Sequence, residues 1–421
     1  MERKVRRTTA VKQHSVRELP PVTEAASTEI EIGLIVAGPL DKVDRDALHM
    51  AITKTQLALE KCFPNFAFRF RAIKRPELTE GSRVEPSVLL QQAAEDRDAK
   101  HWDFVFVITA SELIGIYSPF CFAAISRPLD SAVISMSLVD PQAGGAETVE
   151  NERVDRIALR VSRLMQHCLG HLLGLSRDTR PNHLLFHPAL AEDLDDMTEL
   201  DDDQIARQTE ALSEIADQRL EEGSGKSMSY PVFIIRAVWI NRREIAEAIW
   251  AARPWQFPRR LSRLTLASVS TVTILLMTAE SWDLALSQPL FRVWALAATS
   301  LIATTLYVIV RQQLLIRRNS NRSEQTVVTS ASALGIVLTG MTVTWLSLFM
   351  LSIVVSSLLF DRPLIASWAE SSDLSSRDIE VWDYLQMAGF SGSVGLLIGA
   401  LGASFESQNY FRHVIFVDEE I

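Results

Sequence analysis

Apolar residues are spread along this chain in two very different ways. Up to about residue 262 they recur at short intervals among frequent charges, and beyond it they fuse into long uncharged runs. In the first part, residues 29–36 alternate as a strand, and 44–61 place Leu48, Ile52, Leu59 and Cys62 along one side of a helix. Residues 66–73 alternate apolar with basic side chains, the pattern of an exposed strand, and 86–98 read as a helix. A buried-looking strand follows at 103–109, then two β-like runs at 120–125 and 131–138, parted by the turn Arg127-Pro128-Leu129-Asp130. Residues 150–175 set Ile157, Val161, Leu164, Cys168, Leu172 and Leu175 at the spacing of one helix face. The expected fold of this part is α+β, a mixed sheet with helices.

The second part holds uncharged runs at 264–279, 293–310, 325–360 and 384–405. A membrane span needs roughly 20 apolar residues. The second and fourth runs fit. The first is short, but extends past Glu280 to Leu286, or before Arg263, whose side chain can snorkel. The third is too long for one upright helix, so it tilts, bends near Gly340, or starts outside the bilayer. An all-α bundle of about four transmembrane helices is therefore expected, with spans near 264–284, 292–311, 333–359 and 385–405. Small residues from Gly389 to Gly402 suit close helix packing. The last three spans hold no Asp, Glu, Lys or His, which argues against an ion or proton pathway.

Arginines set the orientation. Arg259, Arg260 and Arg263 precede the first span, and Arg311, Arg317, Arg318 and Arg322 lie between the second and third. Both clusters are expected in the cytoplasm, with both termini on that side of a plasma (bacterial inner) membrane. Trp239, Trp250 and Trp255 sit among Arg242, Arg243 and Arg253 just ahead of the first span. Residues 244–252 accordingly either lie along the membrane or pack on the soluble domain. The chain divides into a basic tail (1–27), an α+β domain (28–222), a linker and juxtamembrane segment (223–262), the membrane domain (263–405) and a cytoplasmic tail (406–421).

Composition narrows the function. The 421 residues carry a formal charge of -10 with no basic stripe in the first part, so nucleic acid is not an expected partner. Cys62, Cys121 and Cys168 form no framework and are expected as reduced thiols.

The long helix ends in His167-Cys168-Leu169-Gly170-His171-Leu172-Leu173-Gly174-Leu175-Ser176-Arg177-Asp178. Histidines four apart stack on one helix face and can reach one metal ion, and Gly174 would let the chain turn back with a third ligand. The alternative is a pair of core-edge histidines bonded to carbonyls. This arrangement resembles the H-E-x-x-H-x-x-G-x-x-H signature of metzincin zinc peptidases. The strand-then-helix order of 104–109, 120–126 and 131–138 ahead of the histidines resembles archaemetzincins over roughly 29–212.

The resemblance implies a zinc-dependent peptidase fold, and the departures from it are chemical. Cys168 stands at the general-base position, Arg177 where the third histidine belongs, and Leu184 and Leu185 where a methionine turn is expected. The cysteines that bind a second zinc in archaemetzincins have no equivalent after Cys168. No catalytic residue is assigned. The candidate metal ligands are His167, His171, Asp178 and His183, for zinc if any metal, with His187 and Cys168 as further donors. The expected function is a membrane-anchored, catalytically impaired metzincin-like protein that binds a protein or peptide partner at the bilayer. A membrane-bound zinc peptidase using substitute residues is the alternative.

Two further motifs are read as structural. The acidic run 192–203 lacks the glycine and last glutamate of a calcium loop, and Asp201 with Gln204 resembles a capping box. Gly-Ser-Gly-Lys-Ser at 223–227 lacks the leading glycine and strand of a P-loop.

The arginine pattern makes the topology testable. Reporter fusions after Ser323 and at the C-terminus are expected to read cytoplasmic, and one at Ser372 outside. A cytoplasmic signal at Ser372 would refute four spans.

Overall fold

The computed structural model describes residues 28–79, 81–118, 121–145, 149–215, 229–314, 324–368 and 379–421. The basic tail, the Gly-Ser-Gly-Lys-Ser stretch and the Arg317–Arg322 and Ser372 regions lie outside them.

The chain runs β1 (Thr28–Ala37), α1 (Lys42–Cys62), β2 (Phe66–Arg75), β3 (Arg83–Val84), α2 (Pro86–Lys100), β4 (Phe104–Thr109), β5 (Glu112–Leu113), β6 (Ala123–Ser126) and β7 (Ser131–Ser135). The histidine helix α3 (Glu150–Leu172) and α4 (Asp202–Ile215) follow. After them come α5 (Tyr230–Ile240), α6 (Arg242–Ala251), α7 (Phe257–Arg260), α8 (Ser262–Leu276), α9 (Ala279–Ser287) and α10 (Leu290–Arg311). The remainder is α11 (Glu324–Leu359), α12 (Arg362–Trp368), α13 (Val381–Ala403), α14 (Gln408–Phe416) and β8 (Glu419–Glu420).

Six strands form a mixed sheet in the order β2-β1-β4-β7-β6-β8. The first four are parallel, while β6 runs antiparallel to both its neighbours. β2 is an edge strand, as its alternation predicts, and Arg69 and Arg71 pair across to Glu29 and Glu31 of β1. The turn before β7 is where it was expected, with the Asp130 N–H bonded to the Arg127 carbonyl.

The strand alternation sorts side chains into two cores. Ile30, Ile32, Leu34, Phe104, Phe106 and Ile108 join α1 and α3 in one apolar cluster. Ile35, Ala37, Val105, Val107 and Val133 join α2 in the other, which continues without a break into Leu264, Ile336, Met341 and Leu396 of the membrane helices. The α+β part and the helical part thus share a core.

α10, α11 and α13 are long and apolar enough to cross a membrane. α8 and α9 qualify only together, bent by 87°. The first span was expected to continue past Glu280. Instead α8 stops after 15 residues, about 22 Å at 1.5 Å per residue. Thr278 is extended, and the Trp282 indole N–H caps the broken end on the Leu276 carbonyl at 2.9 Å. Glu280 and Asp283 thereby sit on the crosswise α9 rather than in a continuous span.

α11 is one unbroken helix of 36 residues. The helix continues without a break through Gly340, a glycine that makes room for the Phe257 ring, where a Cβ would lie 2.1 Å from Phe257 Cδ2. Its first turns instead pack on the α+β part. Thr326 Oγ1 donates to Asp98, and Arg97, wholly buried, reaches Thr329 while also binding Asp98, Asp130 and the Leu129 carbonyl. The glycines of α13 bring it against α8, with a Cβ at Gly399 falling 1.8 Å from Ser268 Oγ. α6 packs on α11 through Ile249 over Gly335 and reaches the α+β part through Glu247 to Arg127 at 2.7 Å, while Trp250 stays 74% exposed.

Residues 406–421, read from sequence as a tail, form a structural element. α14 packs on α2 and β8 adds a sixth strand to the sheet. The Glu420 carboxylate is buried and accepts the N–H groups of Ile116, Tyr117 and Ser118, with His413 Nε2 at 2.6 Å. Burial alone would raise this carboxyl, but His413 and the backbone donors outweigh it and hold it below its ordinary value. Ile421 exchanges backbone bonds with Ala123. Nothing in the local sequence pattern announces this pairing, because its partner strand lies three hundred residues away.

Glu420→Ala leaves His413 and three N–H groups without their acceptor, at a cost of about 3–5 kcal/mol, readable as a lowered Tm. The carboxyl is depressed in the folded chain, so this stabilisation is present above its unfolded value and fades as pH falls through the folded one. A Tm equal to that of the parent chain at neutral pH would contradict the anchoring role. A fragment ending at residue 222 lacks β8 and is expected to aggregate through the open edge of β6.

Candidate functional site

α3 carries both histidines of the motif on its last turns, and both are buried. His167 Nδ1 lies 2.7 Å from the Leu184 carbonyl and His171 Nδ1 2.9 Å from the Leu175 carbonyl. A carbonyl can only accept, so each Nδ1 carries the proton and each Nε2 presents a lone pair. That is the tautomer a metal ligand needs, oriented by a backbone acceptor. The rings meet edge to face, 4.5 Å apart, and His167 Nε2 is buried with no hydrogen-bond partner.

The backbone around the pair follows from the sequence. Gly174 adopts φ +90°, and the Leu175 N–H closes the helix on the Gly170 carbonyl. A Cβ at 174 would lie 2.9 Å from Arg127 Nη2. The chain then doubles back, so that Leu185 packs against Gly170 and Leu184 supplies the carbonyl beneath His167.

What returns to the pair is a cation. Burial, then the neighbouring His171, lowers His167 far below the usual histidine range, and the charge of Arg177 adds to the effect. His171 is lowered to about 4 by burial, then by Arg177 and Arg127, against the favourable bond to Leu175. His187 is lowered by burial and by Arg177, and its Nδ1 is also buried without a partner. The pair therefore fits two ligands of a metal centre, and the charge of Arg177 opposes a cation there. Cys168, next to His167, is fully buried in the apolar cluster, and burial pushes its thiol up.

Asp178 and His183, the other two candidates, are gathered elsewhere. Together with Asp201 they form a group whose donor atoms lie within 4.8 Å of one another, an arrangement able to hold a metal by residue type and spacing. Sequence reasoning missed Asp201, reading it only as a cap; its carboxylate was one of many in an acidic run. Here Arg180 already bridges both carboxylates, at 2.7 Å to Asp178 and 2.5 Å to Asp201. His183 Nδ1 accepts the Leu185 N–H, so its Nε2 carries a proton and points a donor toward the two carboxylates, 3.9 Å from each. As built, the group fits a guanidinium rather than a metal ion. The acidic run serves the fold at other points too: Asp195 forms a two-pronged pair with buried Arg160, and Gln204 Oε1 accepts the Asp201 N–H.

No protein-family model and no curated protein matches the sequence. Solved structures do resemble its first half. An archaemetzincin from Methanopyrus kandleri is 15% identical over 45% of this chain and 98% of its own, with a TM-score of 0.35. A zinc-dependent peptidase from Methanocorpusculum labreanum is 13% identical over 42% and 99%, at 0.32. An archaemetzincin from Archaeoglobus fulgidus, complexed with malonate, is 15% identical over 42% and 99%, at 0.31. The chain thus has a distant, partial likeness to archaemetzincin-like zinc peptidases, followed by three to four candidate membrane helices.

His171 gives the site a pH signature. It is held neutral in the fold and titrates near 6.5 when unfolded, so the unfolded chain binds more protons as pH falls. Stability is expected to drop by on the order of 3 kcal/mol between pH 6.5 and 4 from this residue. His171→Gln should flatten that part of the Tm–pH curve; an unchanged curve would mean the imidazole is not held neutral.

Proposed function

We propose that the chain is a membrane-tethered, hydrolytically impaired metzincin-like protein that acts by binding a protein or peptide partner at the bilayer surface. One observation carries this: the residue after His167, where a peptidase of this type keeps its general base, is a thiol enclosed in the apolar core. A buried, protonated thiol neither reaches a solvent-facing water nor takes its proton, and loss of general-base help alone costs about 10²–10⁴-fold in rate. The charge of Arg177 beside the histidines supports the same reading, since it opposes a dication. The candidate ligands that remain are His167 and His171, with His187 as a third donor; Asp178 and His183 are reassigned to the Arg180 clamp.

The second reading, a zinc peptidase with substitute residues, is favoured by the metal-ready tautomers of His167 and His171. When bound, zinc would supply an activated water there, and this chain's own part would be two neutral imidazoles fixed by the Leu184 and Leu175 carbonyls.

Metal content and hydrolysis separate the two. The purified full-length chain is expected to hold well under one zinc per molecule and to leave casein uncut. Arg177→His removes the cation and offers a third imidazole, so zinc retention should rise and added zinc should raise the Tm by mass action. Chelator-sensitive proteolysis by the parent chain, abolished in His171→Ala, would overturn the impaired reading.

A further inference from the structure

Where α10 ends against the α+β part, α2, α10 and α14 enclose an open groove of about 720 Å³. Ile309 and Val310 form its apolar wall, and Gln91 and Gln92 line it with amides. Its two charges are Glu95 on α2 and Arg412 on α14. The Arg412 Nε–H is buried without an acceptor. Burial lowers the guanidinium and Glu95 partly offsets this, yet no ion pair within 4.0 Å joins the two among the described residues. A cation and an anion thus face one cleft without neutralising each other.

The groove opens onto an apolar track. Ile302, Leu306 and Val310 follow one another at four-residue spacing along α10 and are 58%, 53% and 74% exposed. Such a stripe on a helix able to cross a membrane faces acyl chains. It leads directly into the groove, because Val310 belongs to both.

We propose that this groove binds one phospholipid whose headgroup carries a primary amine beside its phosphate. Arg412 takes the phosphate, Glu95 takes the ammonium, and an acyl chain lies along Ile302, Leu306 and Val310. The charges select the class. A purely anionic headgroup would give its phosphate to Arg412 and leave Glu95 without a counter-charge. A choline headgroup has no N–H to give the carboxylate. An ethanolamine headgroup satisfies both charges, and charge-assisted bonds are the strong ones.

The test uses the full-length chain, stripped of lipid in detergent. It is offered equal amounts of phosphatidylethanolamine, phosphatidylglycerol and phosphatidylcholine, with retained lipid read by native mass spectrometry. One phosphatidylethanolamine per chain is expected, at least about tenfold over either competitor, the scale of one charge-assisted bond. Glu95→Gln, at an exposed position, should erase that preference while phospholipid is still held. Arg412→Gln should lower retention of all three by about tenfold. Equal retention of the three lipids by the parent chain would overturn the proposal, as would a preference that survives Glu95→Gln. Displacement by soluble phosphoethanolamine at the lipid's own concentration would overturn the acyl-chain half. The readout is independent of zinc and of hydrolysis.

Discussion

An edge strand presents a row of N–H and C=O groups that must find partners. β6 meets this requirement with β8, from the opposite end of the chain. The pairing is short, but it is fastened at every position: Glu419 and Glu420 pair with Ile125 and Ala124, Ile421 with Ala123, and the Glu420 carboxylate gathers the loop at 116–118. Asp418 adds a bond to the Arg127 N–H, and burial raises its carboxyl to about 7. Because α13 and α14 hang from that strand, the sheet and the membrane helices are held in one arrangement, and the apolar cluster on one sheet face runs on into the bundle. The buried Arg97 between Asp98, Asp130 and Thr329 ties the same two parts together with charge.

Electrostatics, rather than backbone shape, decides what the histidines can do. Helix α3, the turn at Gly174 and the returning segment under Gly170 set up two imidazoles that donate from Nδ1 and carry no proton on Nε2, the first requirement of a metal centre. Three guanidiniums then shape the surroundings: Arg177 and Arg127 bear on His171, and Arg253 on Arg177. Arg127 is tied to Glu247 on the juxtamembrane α6. The histidine end of α3 is therefore coupled to the membrane-proximal helices by an ion pair one residue type away from the motif itself.

Most of the architecture was legible because it is local. The apolar run of 103–109, the alternation of 66–73, the helix spacing of 150–175, the uncharged runs and the small residues of α13 all encode their own surroundings. What was not legible depends on distant partners. The break after Leu276 relies on Trp282 reaching back over it, and the need for a glycine at 340 comes from the ring of Phe257. The strand at 419–420 is two residues long and has no periodicity to detect. Within the site, the i, i+4 histidines were found by spacing, and the cysteine at 168 could be read directly. The separation of Asp178 and His183 from them was not, since it depends on Arg180 drawing Asp178 and Asp201 into a clamp of their own.

The position of β8 in the chain also fixes an order of events. Translation proceeds from β1 onward, and domains ordinarily fold as they emerge. Here the sixth strand of the sheet is encoded after all the candidate membrane helices among the described residues. While α8 to α13 are being synthesised, β6 has an open edge, because the strand that pairs with it has not yet been made. Residues 418–421 are made only after α13, so a chain whose helices α8 to α13 fail to pack also withholds the segment that pairs with β6.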